Sequence, residues 1–209
     1  MFFSKSKLAA DVPAGAPVAE RRRSIRHATV MQVAKIRLSR GREELCLLRD
    51  VSPEGVKAEV YVRMEVAASV EIELRTGHTI RGKIAWIEDA LVGVAFDEPM
   101  PMAAMLAHCS FDDRLGKLRS PRLVVDMHGL LTIDFQEKVV RIGNISQAGM
   151  QIVAKGPLDA GASCAIALPG LAPRPATVRW CREQQAGLLL AEPFEYATFA
   201  EWRAAIAPA

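Results

Sequence analysis

The sequence predicts a mainly β protein assembled from two tandem copies of one small barrel or sandwich, each copy closing with a helix. Two patterns carry the prediction. Apolar and polar residues alternate through a series of short segments, and the landmarks of residues 50–99 return 94 positions later. Alternation with period two buries one face of a strand and leaves the other in water. A constant spacing across separated landmarks is the signature of a duplication.

The elements follow in order. LAADVPAGAPVA at 8–19 is rich in Ala, Pro and Gly and has no periodicity, so residues 1–19 are expected to form a flexible lead-in. ERRRSIRH at 20–27 then crowds Arg21, Arg22, Arg23 and Arg26 together. QVAKIRL sets Ala34, Ile36 and Leu38 against Lys35 and Arg37, and VEIELR sets Val70, Ile72 and Leu74 against Glu71, Glu73 and Arg75. ELCLLRD, GVKAEVYV, TIRGKIAW and LVGVAF read as further strands, separated by turn residues such as Ser39, Gly41, Gly77 and Asp89. About six short strands within roughly 70 residues suit a small barrel or sandwich. MPMAAMLAH reads as a short helix, and EYATFAEWRAAIA at the far end places Phe199, Trp202 and Ile206 at helical spacing.

The repeat is explicit. DVSPEG at Asp50–Gly55 returns as NISQAG at Asn144–Gly149, and Ile84 and Trp86 return as Val178 and Trp180. GVAFDEP from Gly93 returns as GLLLAEP from Gly187, each pair at the same spacing of 94. The two units are expected at 20–110 and 117–209, with a linker at 111–116. Trp86 and Trp180 read as core side chains.

Composition narrows the function. Half the residues are hydrophobic and 24% are charged, which describes an ordinary globular chain. A net charge of +3 is too small for a protein that coats nucleic acid, so the basicity is local to the arginine cluster. The N-terminus lacks the apolar stretch of a signal peptide and no run is long enough to span a membrane, so a cytoplasmic location is expected. Cys46, Cys109, Cys164 and Cys181 form no CxxC pair and read as small buried residues. GHTIRGKI at 77–84 matches GxxxxGK[ST] except at Ile84, and it continues as a strand, which makes it a β-hairpin and not a phosphate loop. His27, His78, His108 and His128 are dispersed, and no HExxH, GxSxG or paired-carboxylate arrangement stands out; neither an enzyme nor a metal protein is expected.

Arg22 and Arg26 as RxxxR, then Asp50, Ser52 and Gly55 as DxSxxG, then a Gly-Val-x-Phe strand after a tryptophan, resemble a PilZ domain. The resemblance covers the first copy and, through the repeat, extends to the second. It implies two tandem six-stranded antiparallel β-barrels, each with a C-terminal helix, and a bacterial receptor for cyclic di-GMP with no other cofactor. An arginine fork matches the O6 and N7 acceptors of guanine in bidentate fashion, and a second guanidinium stacks on the base plane. By the same resemblance, Asp50 accepts from the guanine amino and imino hydrogens, and Ser52 donates to a phosphate or sugar oxygen. Gly55 leaves room for the ligand and is able to adopt positive φ. Arg21, just before the motif, bears on whether one cyclic di-GMP or an intercalated pair binds; Arg23 is a further candidate for phosphate attraction.

The second copy departs from the pattern. Aligning RRSIR with LRSPR places Leu118 opposite Arg22, and Arg119 and Arg122 opposite Arg23 and Arg26, which needs a spacing of 96 instead of 94. With Asn144, Ser146 and Gly149 kept but one clamp arginine lost, this barrel is expected to bind weakly or not at all and to offer a surface to a protein partner. Two competing functions remain in view: a PilZ-like scaffold that binds no nucleotide, against which the intact motifs of the first copy speak, and an RNA- or DNA-binding barrel. Aromatics are only 6% of the chain, too few for stacking platforms, so no nucleic acid partner is expected.

Overall fold

The computed structural model describes residues 28–38, 41–109 and 120–206, and it consists of two closed barrels in tandem. The first is made of β1 (Ala28–Arg37), β2 (Glu43–Ser52), β3 (Gly55–Val60), β4 (Ser69–Glu73), β5 (Thr79–Glu88) and β6 (Leu91–Phe96), followed by helix α1 (Met102–Cys109). The second is made of β7 (Leu123–Ile133), β8 (Gln136–Ser146), β9 (Gly149–Val153), β10 (Ser163–Ala167), β11 (Arg174–Arg182) and β12 (Gln185–Leu190), followed by helix α2 (Tyr196–Ile206). Both close in the same strand order, β1-β2-β3-β6-β5-β4 and β7-β8-β9-β12-β11-β10, and every pairing is antiparallel. Closure leaves no unpaired strand edge.

Alternation works as expected inside each wall. Ile36, Leu48, Ile72 and Ile84 fill the first barrel, and Leu131, Ile142, Ile145 and Met150 the second, all essentially without solvent contact. Met105 of α1 and Phe199 of α2, 94 residues apart, plug the respective cores. The segment resembling a phosphate loop is a hairpin, with Gly77 at φ 85° in the turn before β5. Cys46 and Cys164 are buried, and burial pushes the Cys46 thiol up to about 12, which keeps it protonated and inert.

Three bulges interrupt each barrel at matching places, between Thr29 and Gln32, Leu48 and Asp50, and Ile84 and Trp86 in the first. Their counterparts are Val124/Met127, Ile142/Asn144 and Val178/Trp180. A bulge adds a residue to one strand and reverses the in-out parity beyond it. The one difference in length lies at the first hairpin. Leu38 and Arg42 enclose three residues, whereas Ile133 and Gln136 enclose only Asp134 and Phe135, both at positive φ. The repeat spacing is therefore 95 along β1 and β7, and 94 from β2 and β8 onward.

The barrels are joined by α2, which closes the second barrel and also packs on β2 of the first. Leu45 is buried within the second barrel's hydrophobic cluster, with Val33 and Tyr61 packed beside it. The Tyr61 and Tyr196 rings meet edge to face at 5.8 Å. Arg203, itself buried, donates to the Glu43 backbone carbonyl at 3.1 and 3.3 Å. The Glu43 carboxylate accepts from Arg37 at 2.9 Å, from Lys35 at 3.2 Å and from the Val124 backbone N–H at 3.1 Å. Burial raises the Glu43 pKa, but Arg37, Val124 and Lys35 together outweigh it and hold the carboxyl below its usual range.

Candidate functional site

Asp50, Ser52 and Gly55 lie together on the β2–β3 hairpin. The bulge after Leu48 is what displays Asp50: without it, Asp50 would share the inward parity of Leu48, whereas here Val51 turns inward at 1% exposure and Asp50 faces the outer wall. One Asp50 oxygen accepts from Thr29 Oγ1 at 3.1 Å. The Ser52 hydroxyl donates to the Gly55 carbonyl at 3.0 Å, so in this state it ties the turn rather than presenting a donor outward. Gly55 is not among the glycines with positive φ. It is required by a close approach, since a Cβ there would fall 2.4 Å from the Val94 carbonyl oxygen on β6.

Trp86 is the residue that sequence reasoning misplaced. Its parity with Ile84 points it into the core, but the intervening bulge turns it onto the outer wall, 38% exposed. One side of the indole lies on Gly93, where a Cβ would come within 2.0 Å of Trp86 Nε1. The same pair recurs as Trp180, 37% exposed, on Gly187. A glycine seven residues after each tryptophan was the available signal. Between the hairpin and Trp86 runs a cleft of about 360 Å³ whose lining includes Asp50, Ser52, Gly55, Lys57, Trp86 and Glu88. An outward acid, an indole and a glycine-floored hairpin in one concavity are able to hold a planar polar ring, by its edge and by its face. Arg21, Arg22, Arg23 and Arg26, expected to complete the site, lie outside the described residues, as do Leu118 and Arg119.

The second barrel repeats the frame with different contents. Ser146 Oγ donates to the Gly149 carbonyl at 3.0 Å, and a Cβ on Gly149 would fall 2.2 Å from the Leu188 carbonyl oxygen. Its cleft, about 280 Å³, includes Ser120, Arg122, Ser146, Arg179, Trp180 and Leu189 in its lining. Arg122 donates to Asn144 Oδ1 at 2.6 Å, the Asn144 amide donates to Gln151, and Gln151 donates to Gln185 at 2.8 Å. The strand register also corrects the expected alignment. Arg122 stands immediately before β7, the place that His27 and not Arg26 holds before β1, because the spacing here is 95 and not 96. Among the described residues no cluster of three or more His, Cys, Asp or Glu could hold a metal ion, and no helix is long and apolar enough to cross a membrane.

Residues 20–112 match the family model of the PilZ domain. No curated protein sequence matches the chain. Among solved structures, the chain is similar to the PlzA protein of Borreliella burgdorferi in complex with c-di-GMP, at 9% identity and TM-score 0.41, covering 88% of this chain and 94% of that one. It is also similar to the inhibitor of motility MotI/DgrA of Bacillus subtilis, at 14% identity and TM-score 0.36, covering 85% and 96%. A third is YcgR of Escherichia coli in complex with c-di-GMP, at 9% identity and TM-score 0.33, covering 83% and 81%. The matched residues contain the whole first barrel, its bulged hairpin and Trp86, so the first barrel is the part of the chain that matches the PilZ domain.

Proposed function

We propose that this protein is a non-catalytic cyclic di-GMP receptor, with the messenger seated in the first cleft and the arginine segment folded over it. The observation that carries the reading is the display of Asp50 beside Trp86 on a wall that the matched PilZ residues supply. Arg22 and Arg26 read guanine edges and planes, Asp50 accepts from the guanine N–H groups, and Trp86 offers a face to a base. Ser52 reaches the ligand only by leaving the Gly55 carbonyl, so its role is in holding the turn. Arg21 and Arg23 contribute phosphate attraction, and Arg21 bears on ligand stoichiometry.

The functional units are taken as 20–110 and 117–209. The output is a changed surface read by a protein partner, with the lead-in residues supplying the arm's freedom and the second barrel part of the partner's footprint. Support for the asymmetry comes from Asn144, both ends of whose amide are already engaged by Arg122 and Gln151.

Calorimetric titration of the full chain with cyclic di-GMP, GTP and a short single-stranded oligonucleotide tests the reading. Saturable binding of cyclic di-GMP alone is expected; equal binding of the oligonucleotide would sink it. Hydrogen exchange over residues 8–27 is expected to slow when cyclic di-GMP is added, and unchanged exchange would remove the arm from the mechanism.

A further inference from the structure

The two clefts share a frame and differ in charge. At matched positions Asp50 is replaced by Asn144, Glu54 by Ala148, Ala85 by Arg179 and Glu88 by Arg182; only Lys57, replaced by Gln151, changes in the other direction. Three carboxylates line the first cleft, and no acidic residue lines the second. Arg179 makes no salt bridge among the described residues. A guanidinium beside a part-exposed indole, in a concavity without acids, is a place for an anion that also carries a flat ring. The volume of about 280 Å³ lies at the small end of ligand pockets and suits one nucleotide.

The carboxylate that would select guanine is missing from this cleft. Guanine's amino and imino hydrogens call for an acceptor such as Asp50, which lines the first cleft, whereas its counterpart Asn144 carries no carboxylate and does not line the second. Leu188 and Leu189 supply apolar wall in its place.

We propose that the second cleft is a separate site for a nucleoside monophosphate, which sets its phosphate against Arg179 and its base on the exposed side of Trp180 without choosing among bases. The proposal stands on the second barrel alone and is independent of what the first cleft binds.

The test uses the full chain and follows the indole N–H resonances of its three tryptophans during titration with AMP, GMP, adenosine and inorganic phosphate, with Trp180 identified by the loss of its signal in Trp180→Phe. AMP and GMP are expected to shift the Trp180 resonance with affinities equal within about threefold, weakening as salt is raised. Adenosine and phosphate are each expected to bind about tenfold more weakly or worse, since each keeps only one of the two contacts. Arg179→Ala is expected to weaken AMP about tenfold, whereas Asp50→Ala leaves the Trp180 response unchanged. A Trp180 resonance that does not move with AMP in the millimolar range overturns the proposal. So does a tenfold preference for GMP, which would mean that the base edge is read, and so does phosphate alone binding as well as AMP. An Arg179→Ala response equal to wild type overturns it as well.

Discussion

On the first barrel the outer wall beside the DxSxxG hairpin carries Asp50, Glu54 and Glu88; on the second the same wall carries Asn144, Ala148 and Arg182, with Arg179 added. Beneath these side chains the two are nearly one object, with bulges at the same steps, an indole on a glycine, and a serine hydroxyl tying its turn at 3.0 Å in both. The difference teaches which parts of the motif serve the barrel and which serve a ligand. The serine and the hairpin glycine answer to backbone geometry, so they persist in the second barrel where Asp50 does not. A motif match at Ser146 and Gly149 is accordingly a statement about a turn. The proposed function assigns binding to the acid, the indole's accessible side and the arginines.

The largest expected effect breaks the comparison at the arginines. Arg22→Ala combined with Arg26→Ala should reduce cyclic di-GMP affinity at least about thirtyfold by calorimetry, because each guanine contact contributes on the order of 1 to 3 kcal/mol. Arg122→Ala should leave that affinity unchanged, and an equal loss there would mean that both clefts share the ligand. Glycine comes next. Gly55→Ala and Gly149→Ala each force a Cβ against a backbone carbonyl, and each should destabilise the chain by about 1 to 3 kcal/mol in urea melts, with Gly149→Ala sparing cyclic di-GMP binding.

A smaller effect distinguishes Glu43 from its counterpart Glu137. Glu43 is 7% exposed at the joint and Glu137 is open to solvent. Glu43→Gln should lose about 1 to 2 kcal/mol, with Glu137→Gln within about half a kcal/mol of wild type. Because the folded state holds the Glu43 carboxyl below its ordinary value of 4.5, its contribution is complete above that value and is lost as pH falls through the lower folded one. The gap between wild type and Glu43→Gln should therefore close on acidification; a gap that widens would contradict the assignment. Smallest is Asn144→Ala, which removes an exposed amide link and should shift stability by no more than about 1 kcal/mol without touching cyclic di-GMP affinity.

Much of this was legible in the sequence. The repeat spacing, the twelve strands' alternation and the motif residues are local patterns, and the barrel, the helices and the hairpin at Gly77 follow from them. What escaped was whatever depends on one extra residue in a strand. Parity read through Ile84 sends Trp86 inward, and only pairing with Gly93 across β6 reveals the bulge that sends it out. The position of Arg122 escaped for a related reason, since a turn one residue shorter at Asp134–Phe135 shifts all of β7 by one. The joint was hidden too, because Glu43 looks like a solvent residue until Val124 and Arg203 of the second barrel cover it.

The joint has a further implication for assembly. The surface on α2 and the surface on β1–β3 that receives it are different, so a chain of identical barrels joined this way would have no natural end and could extend into a fibre. On the second barrel the receiving surface is changed: the positions of Val33 and Tyr61 are held by His128 and Lys155, and Val139, at the place of Leu45, is 68% exposed with nothing upon it. An incoming α2 would have to desolvate an imidazole and an ammonium there, where the first barrel offers a valine and a tyrosine. The second barrel therefore does not present the apolar joint surface of the first.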